Sequence, residues 1–337
     1  MTFDFNKPSP EMVALLAKAG SGHTETASQA LSLVAKAFQE PLREGLLAGD
    51  IVNGIYTVQD FSGLNGPVEY PLDFVPPGTQ KEFTAWTMPN HGYIPQFNVE
   101  GDYTMVPTYR IAAAIDWLIR YSENARWDVA GRAMRVFEAM ITKKMNDDGW
   151  HTLLAAGADR NIVVYDSDAG SGQFTKRLIS LGKVIMRRNG GGNSATTNRS
   201  KLTDLFMSPE SVEDIRNWGV DLADEFTRRE LYLAEDGSGK LLRVFGVNLH
   251  DIDELGEQQE YQNFFLNVIG GALPGGKLEL AVGLDMNKKD VMMMPIKKQL
   301  EIFDDPALHR QGRSGVYGYA EIGMAILDNR VCCLAAI

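Results

Sequence analysis

TYRIAAAIDWLIRYSENARWDVAGRAMRVFEAMITKKM, residues 108–145, carries the strongest helical signal of the chain. It holds no proline. Apolar and small residues at Ile111, Ile115, Leu118, Ser122, Ala125, Val129, Ala133, Val136 and Met140 step by three or four, which predicts one helix face. Lys143 and Lys144 suit a helix C-terminus, and Asn146-Asp147-Asp148-Gly149 reads as the turn that ends it. Unbroken, the stretch would measure on the order of 57 Å, whereas a compact globule of this chain length is about 50 Å across. Either the helix breaks, near Ser122–Asn124, or it is the spine of an elongated protein.

Upstream lies a segment of the opposite character. Seven of the 14 prolines, Pro67, Pro71, Pro76, Pro77, Pro89, Pro95 and Pro107, fall between residues 67 and 107. Proline lacks an amide donor and fixes φ, so neither a helix nor a central strand runs through it. Yet Tyr70, Phe74, Val75, Phe83, Trp86, Tyr93, Ile94, Phe97, Val99, Tyr103 and Val106 favour extended backbone. The prediction is a long two-way excursion of edge-type strands, of a length that is generally functional. Before it, Ala27, Leu31, Val34, Phe38, Leu42 and Leu46 mark a helix over 25–47 that Pro41 should bend or break.

Downstream the chain alternates short strands and helices. Asn161–Tyr165 reads as a strand, and Phe174, Leu178, Leu181 and Ile185 mark a helix ending at Arg187-Arg188. Leu205–Met207 is a predicted strand, and Ser208 caps a helix that has Pro209 at its first position and runs toward Trp218. Leu241–Leu249 and Leu278–Leu284 are further predicted strands. The segments 322–327 and 331–337 resemble a hairpin around Asp328-Asn329. The class is α+β in mixed order.

Composition narrows the function. The net charge is 33 − 44 = −11, which argues against holding nucleic acid by charge. The two cysteines, Cys332 and Cys333, are adjacent, too close for an ordinary mutual disulfide, and suit a reducing cytoplasm. No apolar stretch approaches the roughly 20 residues of a membrane span. The N-terminal stretch carries Asp4 and no basic n-region, so no secretory signal is expected.

Tests for chemistry find little. Gly190-Gly191-Gly192 follows a predicted helix rather than a strand, so a flexible loop is favoured over a phosphate cradle. Asp166-Ser167-Asp168 starts like a calcium loop, but Ser171 and Arg177 stand where glycine and glutamate are needed; a polar cap is favoured. His250-Asp251-Ile252-Asp253-Glu254 is the densest ligand cluster, yet His23, His91, His151 and His309 are scattered, and a solvated acidic turn is the better reading. No Gly-x-Ser-x-Gly elbow occurs. Cys332 and Cys333 suit buried inert thiols, and Met292–Met294 suit core or interface packing.

Several blocks resemble the major capsid proteins of tailed double-stranded DNA bacteriophages, which have the Hong Kong 97-type fold. They are Asp73-Phe74-Val75-Pro76-Pro77-Gly78-Thr79, Ile94-Pro95 through Val99-Glu100-Gly101-Asp102-Tyr103, and Ile115-Asp116-Trp117-Leu118 through Ala125-Arg126-Trp127-Asp128. With them go Asn146-Asp147-Asp148-Gly149-Trp150, and Leu205-Phe206-Met207-Ser208-Pro209-Glu210 leading to Ile215-Arg216-Asn217-Trp218-Gly219. The resemblance covers about 50–327 and rests on the order of elements as well as on these blocks.

It implies an N-terminal arm over 1–65, an extended loop over 66–106, a peripheral domain from 107–155 and 281–337, and an axial domain over 156–280. It implies a structural subunit rather than an enzyme, needing no cofactor or metal, that assembles with itself into hexamers and pentamers of an icosahedral virion shell. The shell would form in the host cytoplasm and enclose double-stranded DNA without reading its sequence. In the loop, Tyr70, Phe74, Phe83, Trp86, Tyr93 and Phe97 would contact a neighbouring subunit. A separate scaffolding protein is implied, since only about 50 residues precede the loop, with a portal protein at one vertex and a decoration protein as an optional addition. Lys81 lies in the loop, but nothing else matches the crosslinking chemistry of some members. Two other readings remain: a bacterial nanocompartment shell of the same fold, and a cytoplasmic enzyme using His250, Asp251 and Asp253.

Overall fold

The structure, a computed structural model, describes residues 10–19, 29–36, 42, 51–64, 66–72, 102–124, 127–189, 200–218 and 243–337. In chain order come helix α1 (Pro10–Ala19), helical residues 29–36, α2 (Ile51–Ile55), and strands β1 (Thr57–Asp60), β2 (Val68–Leu72), β3 (Asp102–Val106) and β4 (Tyr109–Leu118). Then follow α3 (Ile119–Glu123), α4 (Trp127–Asp159), β5 (Val163–Tyr165), α5 (Lys176–Asn189), β6 (Asp204–Met207) and α6 (Pro209–Arg216). The last part holds β7 (Arg243–Val244), β8 (Val247–Asp251), α7 (Glu260–Ile269), β9 (Leu280–Leu284), β10 (Met292–Asp304), β11 (Arg313–Ile322), β12 (Ala325–Ile326) and β13 (Cys332–Ala336). Contacts divide the chain into two units. The first comprises Met1–Val68, Met105–Gly149 and Met293–Ala325; the second comprises Glu69–Thr104, Trp150–Met292 and Ile326–Ile337.

In the first unit a sheet runs in the order β1-β10-β11-β4, with β12 beside β10. β4 and β11 pair antiparallel along their whole length, from Tyr109 opposite Ile322 to Leu118 opposite Arg313. The helix expected over 108–145 is therefore strand over its first part. Ile111 and Ile115, four residues apart, satisfy a two-residue period as well as a helical one. Trp117 separates the two readings, because it is buried with Ile111 while Ala112, Ala114 and Asp116 point outward. The chain does break near Ser122–Asn124: Asn124 closes α3, and α4 starts at Trp127.

α4 buries Ala130, Met134, Phe137, Ile141 and Met145, one residue on from the predicted stripe. Val129 and Ala133 are half-buried, while Val136 and Met140 are 46% and 47% exposed. The sequence periodicity takes its phase from 111–118, which is strand and has no helical phase, and one residue turns a helix by about 100°. Phe137 packs beneath β11 at Gly318, where an added methyl group would lie 3.0 Å from its ring.

Asn146-Asp147-Asp148-Gly149 is not the turn it resembles, since α4 runs on to Asp159. Lys144 instead pairs with Asp148 one turn on, at 2.7 Å. Asn146 accepts the Val52 amide at 3.3 Å, and the Tyr56 hydroxyl donates to the Gly149 carbonyl at 2.8 Å. A methyl group at Gly149 would come within 2.7 Å of Val52. Glycine is there for close approach, not for ending the helix.

The second unit is built on a six-stranded sheet of order β5-β13-β9-β6-β8-β7, mixed in direction. β6, β9 and β13 are buried along their whole lengths, as strands covered on both faces must be. On one face Leu205, Met207, Ala281, Cys333 and Ala335 meet Leu178, Ile179 and Met186 of α5 and Ile215 of α6. On the other, Trp150 of α4 sits 5.3 Å edge-on to Phe206 and stacks on Tyr261 of α7 at 5.7 Å. The cap read from Ser208-Pro209 is present, with the Ser208 hydroxyl accepting from the Ser211 amide at 3.1 Å.

Two strand predictions change. The strand expected over 241–249 is a hairpin, β7 and β8, turning through Phe245 and Gly246 with φ of 49° and 75°. Residues 322–327 and 331–337 do not pair with each other. β12 joins β10, whereas β13 pairs parallel with β5 and antiparallel with β9. Asp328 and Arg330 close the intervening turn through a buried ion pair, Nε to Oδ1 at 2.8 Å and Nη2 to Oδ2 at 2.8 Å. Within 281–337, Met293–Ala325 belongs to the first unit and Ile326–Ile337 to the second.

Candidate assembly surfaces

β2 and β3 form a two-stranded ribbon of their own, the base of the proline-rich excursion. Strand alternation sorts their side chains: Val68, Tyr70 and Val106 are buried, while Tyr103 and Met105 are 65% and 66% exposed. Tyr70, expected to contact a neighbour, is 5% exposed within its own chain, and burial pushes its phenol up to about 12. Its apolar surface is already used. Phe74, Phe83, Trp86, Tyr93 and Phe97, together with Lys81, lie outside the described residues. Tyr103, read from the sequence only as favouring extended backbone, and Met105 are not among the expected contacts, although their spacing of two on a strand places them on one face.

α4 presents the second surface. Its outward side carries Val129, Ala133, Val136 and Met140 at i, i+4, i+7 and i+11, with exposed Arg132, Arg135 and Lys143. A soluble helix normally turns one apolar stripe inward and polar residues outward; this one has two apolar stripes.

The residues tested for chemistry do not converge. His250, at the end of β8, stacks on Phe206 at 4.5 Å, and its Nε2 lies 2.9 Å from the Asp204 carboxylate. Asp251 and Asp253 are exposed. Burial opposes the charge of Asp204, but hydrogen bonds from His250, Thr203 and Asn248 hold its carboxyl below the usual range. This pairing joins residues far apart in sequence, and only the parallel register of β6 and β8 brings them together. Asp166 binds the Thr175 hydroxyl at 2.7 Å and the Asp168 amide at 3.1 Å, a polar brace ahead of α5. Among the described residues no group of three or more His, Cys, Asp or Glu is placed to hold a metal ion. Gly190-Gly191-Gly192 lies outside them. Both cysteines are buried, and desolvation pushes Cys332 up to about 12 and Cys333 to about 11, so neither is an activated nucleophile. Met292–Met294 are core residues. Among the described residues no helix is long and apolar enough to cross a membrane.

No family model matches the sequence, and no curated protein matches it. Solved structures do. A structure titled Microbacterium phage Oxtober96 is similar with a TM-score of 0.57 and 10% identity, over 86% of this chain and 91% of that one. The cyanophage Pam1 capsid asymmetric unit gives 0.54 and 11%, over 84% and 88%. The acidic stable capsid structure of Helicobacter pylori bacteriophage KHP30 gives 0.53 and 11%, over 83% and 88%. At that identity the likeness is one of fold, and it spans both units. The chain has the α+β Hong Kong 97-type fold of tailed-bacteriophage major capsid proteins.

Proposed function

We propose that this chain is the building subunit of an icosahedral virion shell, assembling with itself into hexamers and pentamers around double-stranded DNA. The observation that carries the reading is the capsid fold over more than four-fifths of the chain. The surfaces agree with it. A ribbon with exposed Tyr103 and Met105 at the base of an aromatic excursion is an aggregation hazard unless a partner covers it. A charge of −11 suits a container whose contents must slide and leave. The first unit, with the long strands and the start of α4, would serve as the peripheral domain, and the six-stranded unit as the axial one. Phe74, Phe83, Trp86, Tyr93 and Phe97 would bury themselves on a neighbour. The partners in this reading are a separate scaffolding protein, a portal at one vertex and, optionally, a decoration protein, with assembly in the host cytoplasm. A nanocompartment shell would share the fold, but the similar structures are titled as phages and phage capsids, and the enzyme reading is not favoured because His250 is bonded to Asp204.

The test is to replace residues 72–98 by a short Gly/Ser linker. The subunit is expected to stay folded, with near-normal helical circular dichroism, and to sediment as monomers or isolated capsomers instead of shells. Normal shells from this variant would contradict the role given to the loop, and outright unfolding would make the segment part of the subunit's own core.

A further inference from the structure

A sheet edge recruits further strands unless it is short, bulged or charged, and the described strands treat their edges unequally. The six-stranded sheet ends on β5 and β7, three and two residues long. The sheet of the first unit ends at one side on β1, four residues long. At its other side it ends on β4, ten residues that pair with β11 without a bulge and hold neither proline nor lysine. Among the described residues no backbone group of 110–117 bonds to anything but β11.

The order of residues along this edge is mirrored about Ala113. Ala112 mirrors Ala114, Ile111 mirrors Ile115, Tyr109 mirrors Trp117, and Arg110 mirrors Asp116 with the opposite charge. An antiparallel strand of the same sequence therefore sets each residue against its chemical match. Arg110 and Asp116 are not bare charges: Arg110 lies 3.6 Å from Glu321 and Asp116 lies 2.7 Å from Arg313, both on β11. Self-pairing extends these contacts into a row of alternating sign at each end, Glu321 and Arg110 of one copy, then Asp116 and Arg313 of the other. A slip of two residues would set Arg110 against Ala114 or Leu118, so charge fixes the register.

We propose that β4 pairs antiparallel with β4 of a second copy, about a two-fold axis through Ala113. Main-chain hydrogen bonds supply the affinity, and Arg110 with Asp116 supply the register. A strand of an unrelated protein fits less well, since nothing would match it to the mirrored order. Within the shell reading this contact would link subunits of neighbouring rings; the dimer itself does not rest on that reading.

The experiment uses the full chain carrying Ala113→Cys, oxidised mildly and run on a denaturing gel, so that free protein and shells report alike. The two copies of residue 113 would lie about 4.5–5.5 Å apart at Cα, within reach of a disulfide. Ala112→Cys would face residue 114 instead and should crosslink far less. The native Cys332 and Cys333 are buried, and the unsubstituted chain is the control. On the Ala113→Cys background, Arg110→Asp and Asp116→Arg should each raise the apparent dissociation constant of the dimer by about tenfold or more, because each sets like charges together at both ends. An equimolar mixture of these two variants should recover the crosslink, as a heterodimer with both ends matched. Mixing could not mend a loss of the pairs within each chain. Both positions are exposed, so circular dichroism should show both variants folded. The proposal is overturned if Ala113→Cys gives no crosslinked dimer, if Ala112→Cys crosslinks as well as it does, or if the mixture recovers nothing. Closed shells that form without the Ala113→Cys crosslink would overturn this contact and leave the shell reading standing.

Discussion

Val52 and Gly149 meet where nothing larger than hydrogen fits on the glycine, with Val52 fully buried and β-branched, hence stiff. In an isolated helix, alanine would be better than glycine by about 1 kcal/mol. Here the overpacking outweighs that gain, and Gly149→Ala should destabilise the chain by roughly 1–3 kcal/mol in urea unfolding. Adding Val52→Ala should cost less than the sum of the two single changes, because the clash is gone; a strictly additive result would show that the contact is not tight. Asp204 yields a second prediction at this scale. Its carboxyl is held below the ordinary 3.8, so its contribution is fully present above that value and is lost as pH falls through the lower folded value. Asp204→Asn should flatten the loss of stability between neutral pH and the acid limb, followed as the urea midpoint against pH. An unchanged acid limb would show that the His250 and Asn248 bonds do not stabilise the charged form.

At the scale of elements, the register of α4 is the point on which sequence and structure part. Phe137→Ala should cost about 3–5 kcal/mol, whereas Val136→Asp, next to it but outward, should change folding stability by no more than about 0.5 kcal/mol. Equal effects would place the helix in the other phase. What was readable in the sequence was local. Ser208-Pro209 states a helix start through one hydroxyl and one ring, and the apolar steps Leu178, Leu181 and Ile185 lie inside α5, with Phe174 just ahead of it. What was not readable depended on distant partners. The alanines of β4 favour a helix until β11 pairs with them residue for residue. The lysines before Asn146 imitate a helix end until Val52 and Tyr56 occupy the glycine. His250 gives no sign in the sequence that its partner is Asp204, because strand register alone makes them neighbours. β13 looks like half of a hairpin because its true neighbours, β5 and β9, are far from it in sequence.

At the scale of the whole molecule, the order of elements was legible even where single boundaries were not. An arm, an excursion, a spine helix and a mixed domain together point to one fold, and they do so although the spine begins later and ends later than its periodicity suggested. The proposed loop contacts are legible only as a class, since proline and aromatic content says that a segment is extended and needs covering, not which surface would cover it. Tyr70 illustrates the limit: an aromatic on the same stretch, it is buried in its own chain. The central claim is the proposal that this chain closes into shells, with the extended loop, within residues 66–106, of one copy lying on the next. Electron microscopy of the particles it forms, taken to a resolution at which side chains are traced, tests this most directly. The account predicts closed shells of regular diameter, built from rings of six and five, with Phe83 and Trp86 buried against a neighbouring subunit. A uniform small oligomer, or shells in which that segment folds back on its own subunit, would contradict it.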